Sequence, residues 1–235
     1  MNILITRPLI DSEDLMGKLF SLGHKIFHIP TLKISAVNAS PVDAKKYDAF
    51  IFTSANAIRN FKTDNEKKNI ICFCVGSITE KIARSHGFTK TYSAGGTVHA
   101  LKNLIMNSSD LNEKSKIAYI CGDNISYELD KELNKEGFNI KKIINYSSQK
   151  ITNLNDENKK LIEKYPPDLI FVYSLRSAES FNEIVKEHSL SSMMTQSIVK
   201  CISKNICDFF KNAGWNKIEI FNTGDEILEL DKYNK

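Results

Sequence analysis

An internal duplication is the sequence feature that most narrows the folds open to this chain. Residues 1–29 align without a gap with residues 115–143, and residues 48–61 align in the same way with residues 168–181. A third pair of segments follows, and the offset grows from one pair to the next, as loop insertions would make it. A chain that repeats itself in this way predicts two similar domains. The paired positions include Gly23 with Gly137, Asp48 with Asp168, Ser54 with Ser174, Gly76 with Ser203 and Gly87 with Gly214.

Apolar runs of strand length alternate along the chain with segments of helical spacing. The runs are "ILIT", "AFIFT", "IICFCV", "IAYIC", "DLIFVY" and "SIVKCI", and each is followed by a polar loop. Strands that alternate with helices predict parallel sheets built from βα units, and therefore an α/β fold. Gly23, Gly87, Gly137 and Gly214 each precede a strand, as expected of a glycine just past the C-terminus of a helix.

Two further segments, residues 30–37 and 144–151, alternate apolar and polar side chains, which is typical of a half-exposed strand. They occupy corresponding places, just after the first βα unit of each repeat. We therefore expect them to form an extended two-stranded connection between the domains. The sequence leaves open whether the first βα unit packs with its own half of the chain or with the other half.

Composition argues against several classes of protein. A chain of 235 residues with 42% hydrophobic content can bury a sizeable core. It lacks an apolar run as long as a membrane span, and it opens with a short strand followed by Arg-Pro, so we expect a cytoplasmic protein that does not engage a membrane. The net charge of +4 permits an anionic ligand without requiring one. Basic residues are not interleaved with aromatic residues, so we do not expect nucleic acid as a partner.

The cysteines and histidines do not predict a metal site. The five cysteines lie mostly within or beside apolar runs, and we interpret them as small buried side chains kept reduced. The five histidines are scattered, without acidic partners at the spacing of metal ligands. The residues concerned are Cys72, Cys74, Cys121, Cys201 and Cys207, and His24, His28, His86, His99 and His188.

Small polar residues follow several of the predicted strands. Ser54 and Asn56 end "FIFTSAN", Thr97 follows the glycine pair in "AGGTVHAL", and "VGSIT" and "YICGD" are similar places. In open α/β sheets the loops after the strand C-termini form the ligand crevice, whereas the same residue types are also common helix N-caps. The residues alone leave both interpretations open. Backbone N–H groups at such places attract anions, so the set suits a large, polar, anionic ligand.

Familiar cofactor and nucleophile motifs are missing. G-x-G-x-x-G, the P-loop pattern and G-x-S-x-G do not occur, and no Ser/His/Asp or Cys/His set is suggested by position. A nucleotide-dependent oxidoreductase is therefore a distant alternative.

The ordered set of motifs resembles the uroporphyrinogen-III synthase family over nearly the whole chain. The residues that carry the likeness are "ILITRP", "YDAFIFTSANAI", "FCVGSITEKI", "AGGTVHAL", "YICGD", "INYSS" and "DLIFVYSLRSAESF". The resemblance implies two similar parallel-sheet, flavodoxin-like α/β domains joined by a two-stranded antiparallel connector. One domain would comprise residues 1–30 plus 153–235 and the other residues 38–145, with connector strands at about residues 31–37 and 144–151.

The resemblance also implies an activity. Members of the family cyclise hydroxymethylbilane to uroporphyrinogen III, with inversion of ring D and loss of water, in heme biosynthesis. The reaction needs no cofactor, so the implied class is a cofactor-independent, cyclising hydro-lyase. We expect a monomer that makes transient contact with hydroxymethylbilane synthase. A non-catalytic two-domain protein that closes on an anionic small molecule is the alternative, because duplicated α/β lobes serve that role equally well.

Site residues follow from the family's motifs. Tyr146 in "INYSS" matches the connector tyrosine of the family, which implies that it assists departure of the substrate hydroxyl. A phenol suits this role, since its ordinary pKa of about 10 keeps the proton available at neutral pH. Ser203, Lys204 and Asn205 stand where the family usually has a small turn, so this loop departs from the family's pattern. Asn205 could replace a hydroxyl group as the hydrogen-bond donor there. The expected substrate-binding residues are Arg7, Ser54, Asn56, Thr79, Gly96, Thr97, Gly122, Asp123, Ser174, Arg176 and Asn205.

Overall fold

The structure is a computed structural model, and it describes residues 1–37, 40–63 and 70–233. The chain divides into two compact units, which we call unit 1 (Met1–Lys33 with Gln149–Lys235) and unit 2 (Ile34–Ser148). The domain boundary expected at residue 38 lies outside the described residues. Within the described ranges, no helix is both long enough and apolar enough to cross a membrane.

The described strands and helices alternate along most of the chain. The strands are β1 (Asn2–Ile5), β2 (Lys25–His28), β3 (Leu32–Ala36), β4 (Ala49–Phe52), β5 (Ile71–Cys74), β6 (Lys90–Ser93), β7 (Lys116–Gly122), β8 (Asn139–Lys150), β9 (Leu169–Val172), β10 (Ile198–Cys201) and β11 (Ile218–Ile220). The helices are α1 (Leu9–Ser21), α2 (Ala55–Arg59), α3 (Ser77–Ser85), α4 (Val98–Met106), α5 (Leu129–Lys135), α6 (Asp156–Lys164), α7 (Leu175–Glu187), α8 (Ser191–Met194), α9 (Lys204–Asn212) and α10 (Glu226–Leu230). Short 3₁₀ helices span Ala44–Lys46 and Asp231–Tyr233.

Unit 1 is built on a parallel sheet of five strands in the order β11-β10-β9-β1-β2. Its central strands are buried on both faces, which explains their continuous apolar sequences. β1 pairs with β9, so the first βα unit packs with the C-terminal third of the chain. This pairing answers the question that the sequence left open.

Unit 2 contains a sheet in the order β3-β8-β7-β4-β5-β6, in which β4 to β8 run parallel. The strands β4, β5, β6, β7 and β8 hold the places in this sheet that β9, β10, β11, β1 and β2 hold in unit 1. The internal duplication predicted from the sequence is therefore confirmed by the strand order, and so is the α/β class with parallel sheets.

The two segments predicted to be extended are hydrogen-bonded neighbours, β3 and β8. The Val37 N–H donates to the Asn145 carbonyl at 3.0 Å, and the Ile151 N–H donates to the Thr31 carbonyl at 2.9 Å. Residue numbers thus rise along one segment as they fall along the other, which is the antiparallel sense. That the pair serves as the connector between the units stays a prediction.

Each unit has its own apolar core on the two faces of its sheet. In unit 2, Phe50, Phe52, Phe61 and Phe88 form an aromatic cluster whose neighbouring rings lie 5.0 to 6.2 Å apart. In unit 1, the single tryptophan, Trp215, is buried in the core. Aromatic residues bury large areas and their rings attract at these distances, so both cores are well suited to hold rigid strand ends.

The glycines predicted to end helices do so. Gly23, Gly87, Gly137 and Gly214 all have positive φ, between 84° and 93°. Residues with a Cβ rarely adopt this conformation, so glycine is required where the chain turns from a helix into the next strand. The expected burial of the five cysteines is confirmed, since all five are buried, and none of them is in a disulfide.

Candidate functional site

The carboxyl ends of the parallel strands in unit 2 meet at one edge of the sheet, where short loops lead into helices. Ser54 follows β4 and is the N-cap of α2, with its hydroxyl accepting a hydrogen bond from the Asn56 N–H at 3.1 Å. Asn56 lies inside α2, and its side-chain oxygen accepts from Arg59 Nη1 at 3.1 Å. Ser54 is thus a cap as predicted, whereas Asn56 is a helical residue.

A cavity of about 150 Å³ lies at this edge of unit 2. Ligand pockets for whole small molecules usually measure about 300 to 1,000 Å³, so this cavity can take one end of a large ligand. Its lining is rich in hydroxyl groups and contains no charged side chain among the lining residues described. The lining residues are Thr53, Ser54, Val98, Tyr119, Gly122, Asn124, Ile125, Ser126, Tyr127 and Tyr146.

Tyr146 reaches the cavity from β8 and is 9% exposed. Its ring lies against the backbone of Gly122, the last residue of β7. A Cβ atom at Gly122 would lie 2.6 Å from Tyr146 Cζ and 2.9 Å from its hydroxyl oxygen, which is closer than side-chain carbons approach. Gly122 therefore leaves the space that the phenol occupies.

Tyr119 and Thr53 form a second polar pair in the cavity. Their hydroxyl oxygens lie 3.0 Å apart in a hydrogen bond, and the rest of the Tyr119 side chain is buried in the sheet. Burial raises the pKa of Tyr119, and the hydrogen bond with Thr53 opposes this only in part, so the phenol stays protonated. Sequence reasoning missed both residues, although a tyrosine inside an otherwise apolar strand was the available signal.

Asp123 directly follows β7 and is hydrogen-bonded to the backbone of β8. Its N–H donates to the Tyr146 carbonyl at 3.0 Å, and its Oδ1 accepts from the Ser148 N–H at 3.0 Å. The same carboxylate oxygen accepts from Asn124 Nδ2 at 2.8 Å. These bonds hold the Asp123 side chain beside the two strands, so the structure gives it a role in fixing the backbone around Tyr146.

The other sequence-predicted residues of unit 2 lie on neighbouring loops and helices. Thr97 is the N-cap of α4 and accepts from the Ala100 N–H at 3.1 Å. The Gly96 N–H donates to the Val75 carbonyl at 2.7 Å, and Thr79 is buried in α3. Of the predicted residues described in unit 2, the cavity brings together Ser54, Gly122 and Tyr146; Asn56, Thr79, Gly96, Thr97 and Asp123 are not part of its lining.

In unit 1, Arg7 follows β1 and lies on an aromatic ring. Its guanidinium carbon is 4.2 Å from the centroid of the Tyr173 ring, which is a cation–π contact. Burial raises the pKa of Tyr173, the carboxylate of Glu226 raises it further, and Arg7 opposes both. The Arg7 carbonyl also accepts from His28 Nε2 at 2.8 Å. Arg7 is thereby held at the carboxyl end of the sheet.

Ser174, Arg176 and Asn205 lie at the starts of two helices of unit 1. Ser174 is the N-cap of α7, and its hydroxyl accepts from the Ser177 N–H at 3.0 Å. Arg176 is in the first turn of α7 and is half-buried, whereas Asn205 is exposed in the first turn of α9. Ser203 is at the N-cap position of α9, but its side chain makes no capping hydrogen bond within the described residues. The loop at Ser203, Lys204 and Asn205 therefore differs from the loop at Ser174, whose hydroxyl does cap its helix.

The described part of the chain does not bring together a set of metal-binding side chains. Over residues 1–37, 40–63 and 70–233, no three His, Cys, Asp or Glu side chains are close enough together to hold one.

The chain has two α/β units whose five parallel strands follow the same order, and unit 2 carries a hydroxyl-lined cavity at its strand ends. The fold therefore belongs to the class of duplicated α/β proteins. A family model described as uroporphyrinogen-III synthase HemD matches residues 13–220. The chain therefore belongs to the uroporphyrinogen-III synthase family. No curated protein matches the sequence.

Solved structures share the fold of this chain. One is uroporphyrinogen-III synthetase from Helicobacter pylori, with a TM-score of 0.66, 16% identity, and coverage of 100% of this chain and 99% of that chain. Another is a mutant uroporphyrinogen III synthase from Thermus thermophilus, with a TM-score of 0.59, 14% identity, and coverage of 99% and 98%. At these identities the likeness shows the fold.

Family membership confirms the activity that the resemblance predicted. The chain is a cyclising lyase that converts hydroxymethylbilane to uroporphyrinogen III, with inversion of ring D and loss of water, in heme and porphyrin biosynthesis. The alternative of a non-catalytic binding protein is not favoured.

Proposed function

We propose that Tyr146 is the catalytic residue of this reaction and that the cavity of unit 2 receives the hydroxymethyl end of the substrate. The observation that carries the proposal is the Tyr146 phenol, which reaches a small cavity lined by hydroxyl and amide groups. A cavity of about 150 Å³ matches one end of a tetrapyrrole rather than the whole molecule.

In the first step, the Tyr146 phenol gives its proton to the departing hydroxyl group, which leaves as water. The remaining azafulvene is attacked by another part of the same molecule, and this attack forms a spiro intermediate. The spiro intermediate then rearranges to the closed macrocycle. The pyrrole carbon at which the ring closes loses a proton, and this proton restores the phenol. General-acid assistance of this kind contributes on the order of 10² to 10⁴ in rate.

The protein also folds the substrate so that its two ends meet. Correct orientation can contribute roughly 7 to 11 kcal/mol in favourable cases, so it is the larger part of the rate enhancement. Since orientation remains when the phenol is removed, loss of Tyr146 leaves part of the activity.

We propose that the remaining predicted residues bind the substrate. Arg7 and Arg176 pair with its carboxylates, because a guanidinium forms strong charge-assisted hydrogen bonds with a carboxylate. Hydroxyl, amide and backbone N–H groups at the strand ends bind its other polar groups. These residues are Ser54, Asn56, Thr79, Gly96, Thr97, Gly122, Asp123, Ser174 and Asn205.

The cellular setting is part of the same proposal. We propose a cytoplasmic monomer that receives hydroxymethylbilane through transient contact with hydroxymethylbilane synthase. We also propose that residues 1–30 plus 153–235 and residues 38–145 are the two domains of the working enzyme, joined at residues 31–37 and 144–151.

The test is an isomer analysis with freshly generated hydroxymethylbilane. The wild-type protein, without added cofactor, should yield mainly uroporphyrinogen III, detected as the oxidised porphyrin. Tyr146→Phe should lower kcat by about 10² or more, in the range of general-acid catalysis, while the product remains type III. Tyr47→Phe, which alters a tyrosine of unit 2 that does not line the cavity, is the matched control and should keep wild-type kcat.

Two results would contradict the proposal. Wild-type kcat in Tyr146→Phe would remove Tyr146 from the chemistry. Complete loss of activity in a well-folded Tyr146→Phe protein would show that orientation contributes far less than proposed.

A further inference from the structure

The strand that carries Tyr146 contains an irregularity just before it. β7 and β8 pair residue by residue up to Cys121 with Ile144, and the next pair is Gly122 with Tyr146. Asn145 is therefore an extra residue in β8, which is a β-bulge. Bulges are rare between parallel strands, and next to functional sites they commonly redirect a side chain.

The bulge changes the side of the sheet that Tyr146 faces. Strict alternation would direct Asn145 and Tyr146 to opposite faces. Instead, Asn145 Nδ2 donates to the Ala57 carbonyl at 2.6 Å, and Tyr146 packs in the same buried cluster as Ala57 and Ile120. Both side chains thus face α2, and the phenol lies over Gly122.

Gly122 completes the arrangement. Its φ is not among the positive values found for other glycines of the described chain, so its backbone does not require glycine. A Cβ at this position would instead overlap the Tyr146 ring, 2.6 Å from Cζ and 2.7 Å from Cε2. The missing side chain at Gly122 is therefore explained by the ring that lies over it.

We propose that Gly122 and the bulge at Asn145 are positioning elements for Tyr146, which direct its phenol into the cavity of unit 2. The substrate contact proposed above for Gly122 is made by its backbone N–H, whereas the absence of a Cβ acts through Tyr146. The functional part of this inference rests on the proposed catalytic role of Tyr146, whereas the geometric part does not.

The first test measures the position of the ring without using activity. The protein is labelled with 3-fluorotyrosine, and the ¹⁹F resonance of Tyr146 is assigned among the eight tyrosines by its loss in Tyr146→Phe. Gly122→Ala should shift this resonance. Gly17→Ala is the matched control, since a Cβ at Gly17 would meet nothing within 4 Å and its backbone is helical. An unshifted resonance in a folded Gly122→Ala protein would overturn the proposal.

The second test is a double-mutant cycle on kcat with Gly122→Ala and Tyr146→Ala. In the presence of the phenol, Gly122→Ala should lower kcat at least about tenfold and leave KM within about twofold. In the Tyr146→Ala background it should change kcat less than about twofold, because no ring remains to be displaced. An equal loss of kcat in both backgrounds would overturn the proposal, since Gly122 would then act independently of Tyr146.

The two tests separate this inference from the proposed function. If Tyr146→Phe keeps wild-type kcat while Gly122→Ala still shifts the Tyr146 resonance, the positioning is supported and the catalytic role of Tyr146 is wrong. Asn145→Ala should shift the same resonance, because the bond to Ala57 is lost. Asn139→Ala, at the exposed start of β8, should not. An Asn145→Ala protein with an unshifted resonance would remove Asn145 from the positioning elements.

Discussion

The two junctions that follow β4 and β9 share a cap but differ in the residue before it. Ser54 and Ser174 both cap the helix that follows, in unit 2 and unit 1 respectively. Thr53 precedes Ser54 and bonds the buried Tyr119, whereas Tyr173 precedes Ser174 and lies under the Arg7 guanidinium. The cap satisfies backbone groups that every such helix exposes, so it is retained in both copies. The preceding residue lies at the carboxyl end of its strand and makes different contacts in the two units.

The sheets of the two units also differ at one pair of corresponding buried positions. Phe73 in β5 and Lys200 in β10 hold corresponding places, and both are fully buried. Phe73 stacks on Tyr92 at 5.5 Å, whereas Lys200 Nζ bonds Glu219 at 2.6 Å and Glu229 at 2.7 Å. A buried ammonium group must be paired, because removing it from water costs several kcal/mol. Unit 1 therefore depends on ion pairs at a place where unit 2 uses an aromatic contact.

The largest expected effect is on the stability of unit 1. Lys200→Ala removes the buried partner of Glu229, which keeps its ion pair with Lys232, and of the partly exposed Glu219, and should lower the free energy of unfolding by about 1 to 3 kcal/mol. Trp215 lies in unit 1, so its fluorescence during urea unfolding measures the loss. Lys217→Ala, which removes an exposed lysine, should stay within about 0.5 kcal/mol. An equally small effect of Lys200→Ala would show that the ion pairs contribute little.

The same ion pairs should make unit 1 sensitive to acid. Burial alone would raise the pKa values of Glu219 and Glu229. Hydrogen bonds to Lys200, together with a bond from Tyr233 to Glu219 and one from Lys232 to Glu229, outweigh burial, so both pKa values lie below the ordinary range. A lowered folded-state pKa stabilises the fold above the ordinary carboxyl pKa of about 4.3, and this stability is lost as the pH falls through the folded-state value. The unfolding midpoint reported by Trp215 should therefore fall below about pH 4.3. Glu219→Gln combined with Glu229→Gln should flatten this fall, and an unchanged pH profile would contradict the assignment.

A smaller effect is expected on substrate binding by unit 1. Arg7→Met should raise KM about tenfold with kcat within about twofold, because a lost charge-assisted bond to a carboxylate weakens ground state and transition state alike. Steady-state kinetics measures both constants. Arg84→Met, which removes an exposed arginine paired with Glu80 in unit 2, should leave KM unchanged. Equal effects of the two substitutions would contradict the proposed role of Arg7.

The smallest effects are expected from the two caps. Ser54→Ala and Ser174→Ala should each cost about 1 kcal/mol of stability. The Trp215 midpoint should fall in Ser174→Ala, whose helix lies in the same unit, and stay unchanged in Ser54→Ala. Ser54→Ala should also lower kcat, because Ser54 lines the cavity. Ser174→Ala removes a proposed substrate contact outside the cavity, so it should raise KM and leave kcat within about twofold. A loss of kcat restricted to Ser174→Ala would reverse the comparison between the units.

Local patterns account for the parts of the site that the sequence predicted. Ser54, Thr97 and Ser174 could be identified as caps because capping depends on residues two or three positions apart. Tyr146 was found through the family's motif. Tyr119 and Thr53 were missed because they are 66 positions apart in the sequence, and only the pairing of β4 with β7 brings their hydroxyls together.

The sequence by itself determined the duplication, the α/β class and the helix ends, since periodicity and glycine positions act over a few residues. Only the tertiary structure decided that β1 pairs with β9, that Lys200 is buried among carboxylates, and that Gly122 is small because Tyr146 lies over it. These features depend on contacts between residues far apart in the chain. A local pattern does not contain such contacts, because sheet register and side-chain packing are set only when the strands meet.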